Sequence, residues 1–198
     1  MLKFIYGVFA MTLMFTTASA TELKSQKLPQ PIITGGKPLM ETLSARKTER
    51  TFSKKAIDDQ TLSEILWSAW GISHDGKRTI PTSMNKQNLK VYALKVDGVW
   101  RYDAENNTLE QISKQDMRPL FATQDFVKTA PLTLLYTGTD IKNSPLHAGS
   151  AYQNVGLYCA SKGLNNVIRG YFDYEQVEKA LKFPTEEKAI ISQTIGWK

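Results

Sequence analysis

The run LKVYALKVDGVWRYD, residues 89–103, constrains the fold more than any other stretch of the chain. Apolar and polar residues alternate on either side of Asp97-Gly98, a dipeptide suited to the tight left-handed turn of a β-hairpin. An antiparallel sheet follows. Glu105-Asn106-Asn107 then turns the chain into TLEQI, a third short strand. Pro131 opens PLTLLYTG, which is apolar without alternation and so belongs in the middle of a sheet. GLNNVIRG reads as a loop with a short strand, and KAIISQTIG as the last strand.

Helical periods interleave with these strands. PLMETLSARK is a short amphipathic helix that runs out at a basic cluster. Asp59 is a plausible N-cap for the next helix, in which Leu62, Ile65, Leu66, Ala69 and Trp70 recur at three and four residues before Gly71 stops it. The longest helix starts at Ser144-Pro145, with proline accommodated in its first turn, and ends at Gly163. Ala148, Ala151, Val155, Leu157, Tyr158 and Cys159 cover much of its circumference, which predicts burial on two sides. Asp173 and Gln176 open the last helix as a capping box. Trp67, Trp70 and Trp100 fall on periodic faces and read as core or interface. The sum is an α+β arrangement, with about four helices and a mostly antiparallel sheet of about five strands.

Residues 1–20, MLKFIYGVFAMTLMFTTASA, have the order of a secretory signal: Lys3, a short apolar core, and an Ala18-Ser19-Ala20 cleavage site. The apolar run is shorter than the ~20 residues a membrane span requires, and no cysteine stands near the cut to carry a lipid. Residues 21–37, polar and rich in Pro, Gly and Lys, read as an extended arm, and residues 38–198 as one domain. The net charge of +6 falls to +5 with the loss of Lys3, and it is dispersed, so no basic stripe for nucleic acid is present. The one cysteine, Cys159, has no partner for an internal disulfide. The two histidines, His74 and His147, are far apart and give a metal site or a catalytic triad little support; surface or loop roles suit them better.

Three polar groups carry the chemistry. SARKTERTF places Arg46, Lys47, Thr48 and Arg50 just past a helix end, where guanidinium forks and a hydroxyl suit phosphate oxygens; a solvated turn is the alternative. RTIPTSMNKQN offers Ser83, Asn85, Gln87 and Asn88, donors and acceptors able to pair with the edge of a heterocycle or to form an ordinary polar loop. GLNNVIRGYFD brackets a short apolar segment with glycines, which lets main-chain N–H groups approach a flat ligand. No Rossmann, Walker, nucleophile-elbow or Cys-x-x-Cys motif occurs.

Taken in order, these groups resemble the nitroreductase family of flavin mononucleotide (FMN) oxidoreductases, with the SagB-type dehydrogenase branch as the nearest likeness. Residues 46–52, RKTERTF, match that family's Arg-Arg-Ser-x-Arg-x-Phe opening; RTIPTS before the hairpin, the 148–164 helix, VIRGYFD and QTIG follow. The likeness spans roughly residues 39–196.

The resemblance implies FMN as cofactor and a homodimer with the flavin at the subunit interface, the long helix forming its core. Arg46 and Thr48 would hold the phosphate and ribityl end, with Lys47 beside them. Arg50 would reach N1 and O2 of the ring, where it would stabilise negative charge on the reduced flavin. Ser83, Asn85 and Gln87 would face the pyrimidine edge or the phosphate. In Ile168-Arg169-Gly170, the N–H of Arg169 would approach flavin N5 and that of Gly170 would approach O4. An acidic residue common in related enzymes is replaced by Arg169, which implies added positive charge above the ring. Lys198 and Arg78 are the candidates for the basic groups that a C-terminal tail supplies in many members. Trp197 would cover the flavin or pack on the partner. The implied chemistry passes hydride or electrons from NAD(P)H, or another donor, through FMN to a small electrophile such as a nitro compound or quinone, with no side-chain acid or base and no metal. Azoline oxidation and non-catalytic flavin binding are the alternatives. Export removes the protein from cytoplasmic NAD(P)H and leaves the donor open.

Overall fold

The computed structural model describes residues 22–198, so the expected export signal at 1–20 lies outside the described residues. The predicted hairpin is present. Strand β2 (Leu89–Lys95) pairs with β3 (Gly98–Asp103), and Lys95 stands opposite Gly98. Only glycine fits that turn: its φ is +134°, and a Cβ there would lie 2.1 Å from the Ser113 carbonyl oxygen. The chain continues into β4 (Thr108–Ser113), with a bulge at Val99/Trp100. The uniformly apolar β5 (Leu132–Gly138) is buried along its whole length between β2 and β7 (Lys188–Trp197).

Among the described residues the sheet has seven strands where about five were expected. One addition is β1 (Ser25–Lys27), a three-residue edge strand within the expected arm, paired with β4. The other difference is GLNNVIRG, where Leu164–Arg169 is a full strand, β6, on the opposite edge. Its asparagines suggested a loop, yet Asn165 and Asn166 are buried, and their side chains are bonded within the fold. The order is β1-β4-β3-β2-β5-β7-β6, and every neighbouring pair is antiparallel.

Among the described residues four α-helices cover the sheet: α1 (Leu39–Ala45), α2 (Asp59–Trp70), α3 (Ser144–Lys162) and α4 (Tyr174–Ala180). The cap of α2 falls one residue earlier than expected, since Asp58 accepts the Thr61 N–H at 2.9 Å. Asp173 caps α4 by accepting the Gln176 N–H at 3.0 Å, and Gly163 ends α3 at φ +79°. Strand alternation divides the core. Val91, Ala93, Leu134 and Tyr136 pack with α2 and α3 on one face. Tyr92, Leu94 and Leu135 pack with Phe121, Phe172 and Val177 on the other, under two 3-10 turns (Arg118–Phe121 and Asp125–Lys128) and α4. Within the single chain α3 is buried on one face and not on two; Leu146 remains 68% exposed. Trp70 and Trp100 are core residues as expected.

Candidate functional site

The basic cluster begins where α1 ends: the Arg46 N–H closes the last turn on the Thr42 carbonyl at 2.9 Å. From there the chain is stitched to the β6 edge of the sheet. The Glu49 N–H donates to the Asn166 carbonyl at 3.0 Å, Asn165 Nδ2 donates to the Thr51 carbonyl at 2.7 Å, and the Ser53 N–H donates to the Trp197 carbonyl at 3.0 Å. Asn166 Oδ1 in turn accepts from Gln193 Nε2 at 3.1 Å, and Gln193 Oε1 accepts from the Tyr136 hydroxyl at 2.7 Å. A buried polar network therefore fixes the register of the basic segment against the sheet. The two asparagines do this work, and sequence reasoning missed them; their pairing in tandem beside an apolar strand was the available signal.

Arg46 lays its stem along α3: a Cβ on Gly156 would sit 3.8 Å from its Cγ and Cδ. Lys47 pairs with Glu49, and that hydrogen bond, outweighing a slight burial effect and joined by the charges of Lys47 and Lys198, holds the Glu49 carboxyl below its ordinary range. A small pit of about 80 Å3 gathers Lys37, Lys47, Glu49 and Lys198 here. Thr48 and Arg50 are exposed. Among the described residues, neither the Arg46 nor the Arg50 guanidinium has a hydrogen-bond or ion-pair partner.

The second group lies at the other end of α3. Ser83–Asn85 is a 3-10 turn whose N-terminal N–H donates to His147 Nε2 at 2.9 Å. Met84, Asn85 and Gln87 have positive φ. Arg78 Nε donates to Gln87 Oε1 at 2.7 Å and Gln87 Nε2 to Asn85 Oδ1 at 3.1 Å. Arg78 also pairs with Glu105 at 3.0 Å and lies over the Trp70 ring, so its charge is already matched. His147 is 5% exposed, which departs from the expected surface role. His147 and Gly156 are nine positions apart on α3, about 14 Å along the axis. Within one chain, the anchors of the Ser83–Gln87 loop and of the Arg46–Arg50 segment therefore stand well apart along α3.

The third group is the end of β6. As the last strand of the sheet it has one open side, and the Asn166 carbonyl faces that side because Glu49 bonds it from outside. The two-residue alternation of a strand turns the main chain of Ile168 the same way. Arg169 is the last strand residue, its carbonyl accepts from Ser192 Oγ at 2.8 Å, and Gly170 is exposed.

The Arg169 side chain corrects an expectation. It is not free above a ligand: it is 4% exposed and donates to the Phe121 carbonyl at 2.6 Å, Thr123 Oγ1 at 2.6 Å, Gln124 Oε1 at 3.1 Å and the Tyr171 carbonyl at 3.2 Å. Burial lowers its pKa. Trp197 is anchored by Nε1 to the Ala56 carbonyl at 3.1 Å, with Lys55 over its ring. A larger depression, about 490 Å3 between Lys54, Lys95, Arg118 and Lys128, contains none of the sequence-predicted site residues; a ligand bridging two subunits does not require an enclosed cavity within one. No helix among the described residues is long and apolar enough to cross a membrane.

Among the described residues, then, a seven-stranded antiparallel sheet carries a long helix on one face and, stitched to its β6 edge, a segment whose two guanidinium groups are unpaired. Residues 43–197 match the nitroreductase family, and the chain belongs to this family of FMN-dependent oxidoreductases. It is similar to the crystal structure of a nitroreductase-type protein from Ralstonia eutropha JMP134, at 35% identity and a TM-score of 0.83, over 87% of this chain and 89% of that one. A curated relative of the nitroreductase type from Methanocaldococcus jannaschii is 24% identical over 182 residues, 81% of this chain and 91% of the relative. A chain of the E. coli microcin synthetase complex is similar in fold alone, at 17% identity and a TM-score of 0.65, over 96% of this chain and 84% of that one.

Proposed function

We propose that this protein is a homodimeric flavoenzyme that passes electrons from a nicotinamide or other reduced donor through FMN to a small nitro- or quinone-type acceptor. The observation that carries the reading is the Glu49–Asn166 bond with its Asn165–Thr51 neighbour, which brings the phosphate-suited segment to the open edge of β6. Residues with this chemistry fit FMN: Arg46 and Arg50 hold unpaired donor forks, and beside them the main chain of Ile168 faces the open edge of β6 and Gly170 is exposed, while Arg169 between them pairs with Ser192 of β7. Arg46, Thr48 and Lys47, with Lys198 nearby, would bind the phosphate end. Arg50 would orient the ring and favour its anionic reduced form. Bound FMN would supply hydride transfer at N5, and the protein's part is to bind, orient and exclude water.

Ser83, Asn85 and Gln87 would reach the flavin from the second subunit, which accounts for their distance along α3. Exposed Leu39, Met40, Leu43 and Leu146 on α1 and α3 support a second copy. The 1–20 signal supports export. The test is anaerobic reduction of the FMN-loaded protein by NADH and NADPH, followed by nitroarene or quinone. Bleaching and then recovery of the flavin band is expected; a flavin that no donor reduces would contradict the reading. The fold likeness to a microcin synthetase chain keeps one further substrate in view. Conversion of an azoline peptide to an azole by the loaded protein would transfer the assignment to the SagB-type branch.

A further inference from the structure

Arg169 stands where the 121–124 segment and Tyr171 meet the end of β6. Its guanidinium takes four oxygens from residues 121, 123, 124 and 171, and no carboxylate among the described residues pairs with it. The Phe126 ring lies under the same guanidinium at 5.5 Å, and Phe52, which closes the basic segment, lies 6.2 Å from Phe126. Thr123 Oγ1 adds a bond to the Tyr171 carbonyl at 2.6 Å, and Phe121 packs on Phe172 at 4.9 Å. Burying an unpaired cation is costly unless every donor is used, and an apolar residue would fill the same space more cheaply. What the planar fork adds is direction, since several acceptors from separate segments are fixed at once.

We propose that Arg169 is a positioning residue: its guanidinium latches the 118–128 cover and the Phe52 end of the basic segment to β6, holding the main chain of Ile168–Gly170 in place. It acts by geometry and not as a charge offered to the ligand. The inference rests on the proposed flavin reading for its consequence at the ring, but the latch itself is independent of any ligand.

Two variants separate geometry from charge. Arg169→Lys keeps the cation and loses the fork; Arg169→Met keeps the stem and loses both. The latch predicts that both variants speed amide exchange in residues 118–128 and 170–172 by about tenfold or more, with α2 unchanged. In FMN-loaded protein both would also shift the absorbance envelope of the flavin that remains bound, because the main-chain donors at its edge move. Simple loss of stability would lower flavin content without moving the band. Wild-type behaviour of Arg169→Lys, with only Arg169→Met altered, would overturn the latch in favour of charge, and unchanged exchange in both would overturn it outright. If neither folds, Thr123→Val with Gln124→Ala removes two acceptors while leaving Arg169, and the same local exchange response is required. A wild-type protein that takes up no FMN would defeat the proposed function and leave the exchange result standing.

Discussion

Arg46 and Arg50 are unusual residues for a folded surface so tightly stitched on either side, because the stitching uses their neighbours and leaves their own donors unused. Substituting Arg50 with Ala should therefore change thermal stability by less than about 0.5 kcal/mol while weakening FMN binding about tenfold or more. Calorimetry and a fluorescence titration of FMN read the two effects separately. Asn165→Ala acts in the opposite sense. It removes the bond to the Thr51 carbonyl at 2.7 Å, so it should cost about 1 kcal/mol of stability and weaken FMN binding only through the loosened segment. Equal loss of binding and no loss of stability in Asn165→Ala would show that the asparagine touches the ligand directly.

At the scale of elements, the turn at Gly98 and the loop at 83–87 store their conformations differently. Gly98→Ala would drive a Cβ into the Ser113 carbonyl, 2.1 Å away, and should destabilise the hairpin by about 2 kcal/mol or more in denaturant unfolding. Met84 is 81% exposed with φ +50°, so Met84→Gly relieves strain at the cost of chain entropy, and a net gain of up to about 1 kcal/mol is expected. The periodic elements were legible in the sequence: the 89–103 hairpin, the apolar β5, and the α2 and α3 helices with their glycine stops. β6 was only half legible, because Asn165 and Asn166 are polar residues satisfied by Thr51 and Gln193, partners far along the chain. β1 escaped because a three-residue edge strand leaves no alternation to read. The basic segment announced its chemistry but not its docking. The inward turn of Arg169 was invisible, since its acceptors lie in residues 121–124 and nothing in VIRG points to them.

For the whole molecule, acid sensitivity should trace to two buried carboxylates. Burial pushes Glu187 up, but the Lys90, Thr137 and Tyr92 hydrogen bonds outweigh it and bring its pKa below the usual 4.5. Glu64 is lowered likewise, burial being overcome by Lys162, Tyr158 and Gln60. Folded values below the unfolded value give a contribution that is complete above about pH 4.5 and is lost as pH falls through the lowered folded values. Glu187→Gln should cost about 1–3 kcal/mol at neutral pH and flatten the unfolding profile below pH 4.5; Lys90, 39% exposed, can recover water and keeps the cost short of that for a sealed pair. A profile whose acid limb is unchanged in Glu187→Gln would place the sensitivity elsewhere.

The separation of the Ser83–Gln87 loop from the basic segment along α3 makes the subunit count part of the same account. One measurement tests its centre most directly: titration of FMN into the purified protein, wild type beside the Arg46→Ala/Arg50→Ala pair, with molar mass followed by light scattering. The account predicts saturable uptake by a wild-type dimer at one flavin per chain, and uptake at least about a hundredfold weaker in the folded double variant. A wild-type protein that stays colourless at saturating FMN, or a double variant that binds as tightly as wild type, would contradict it.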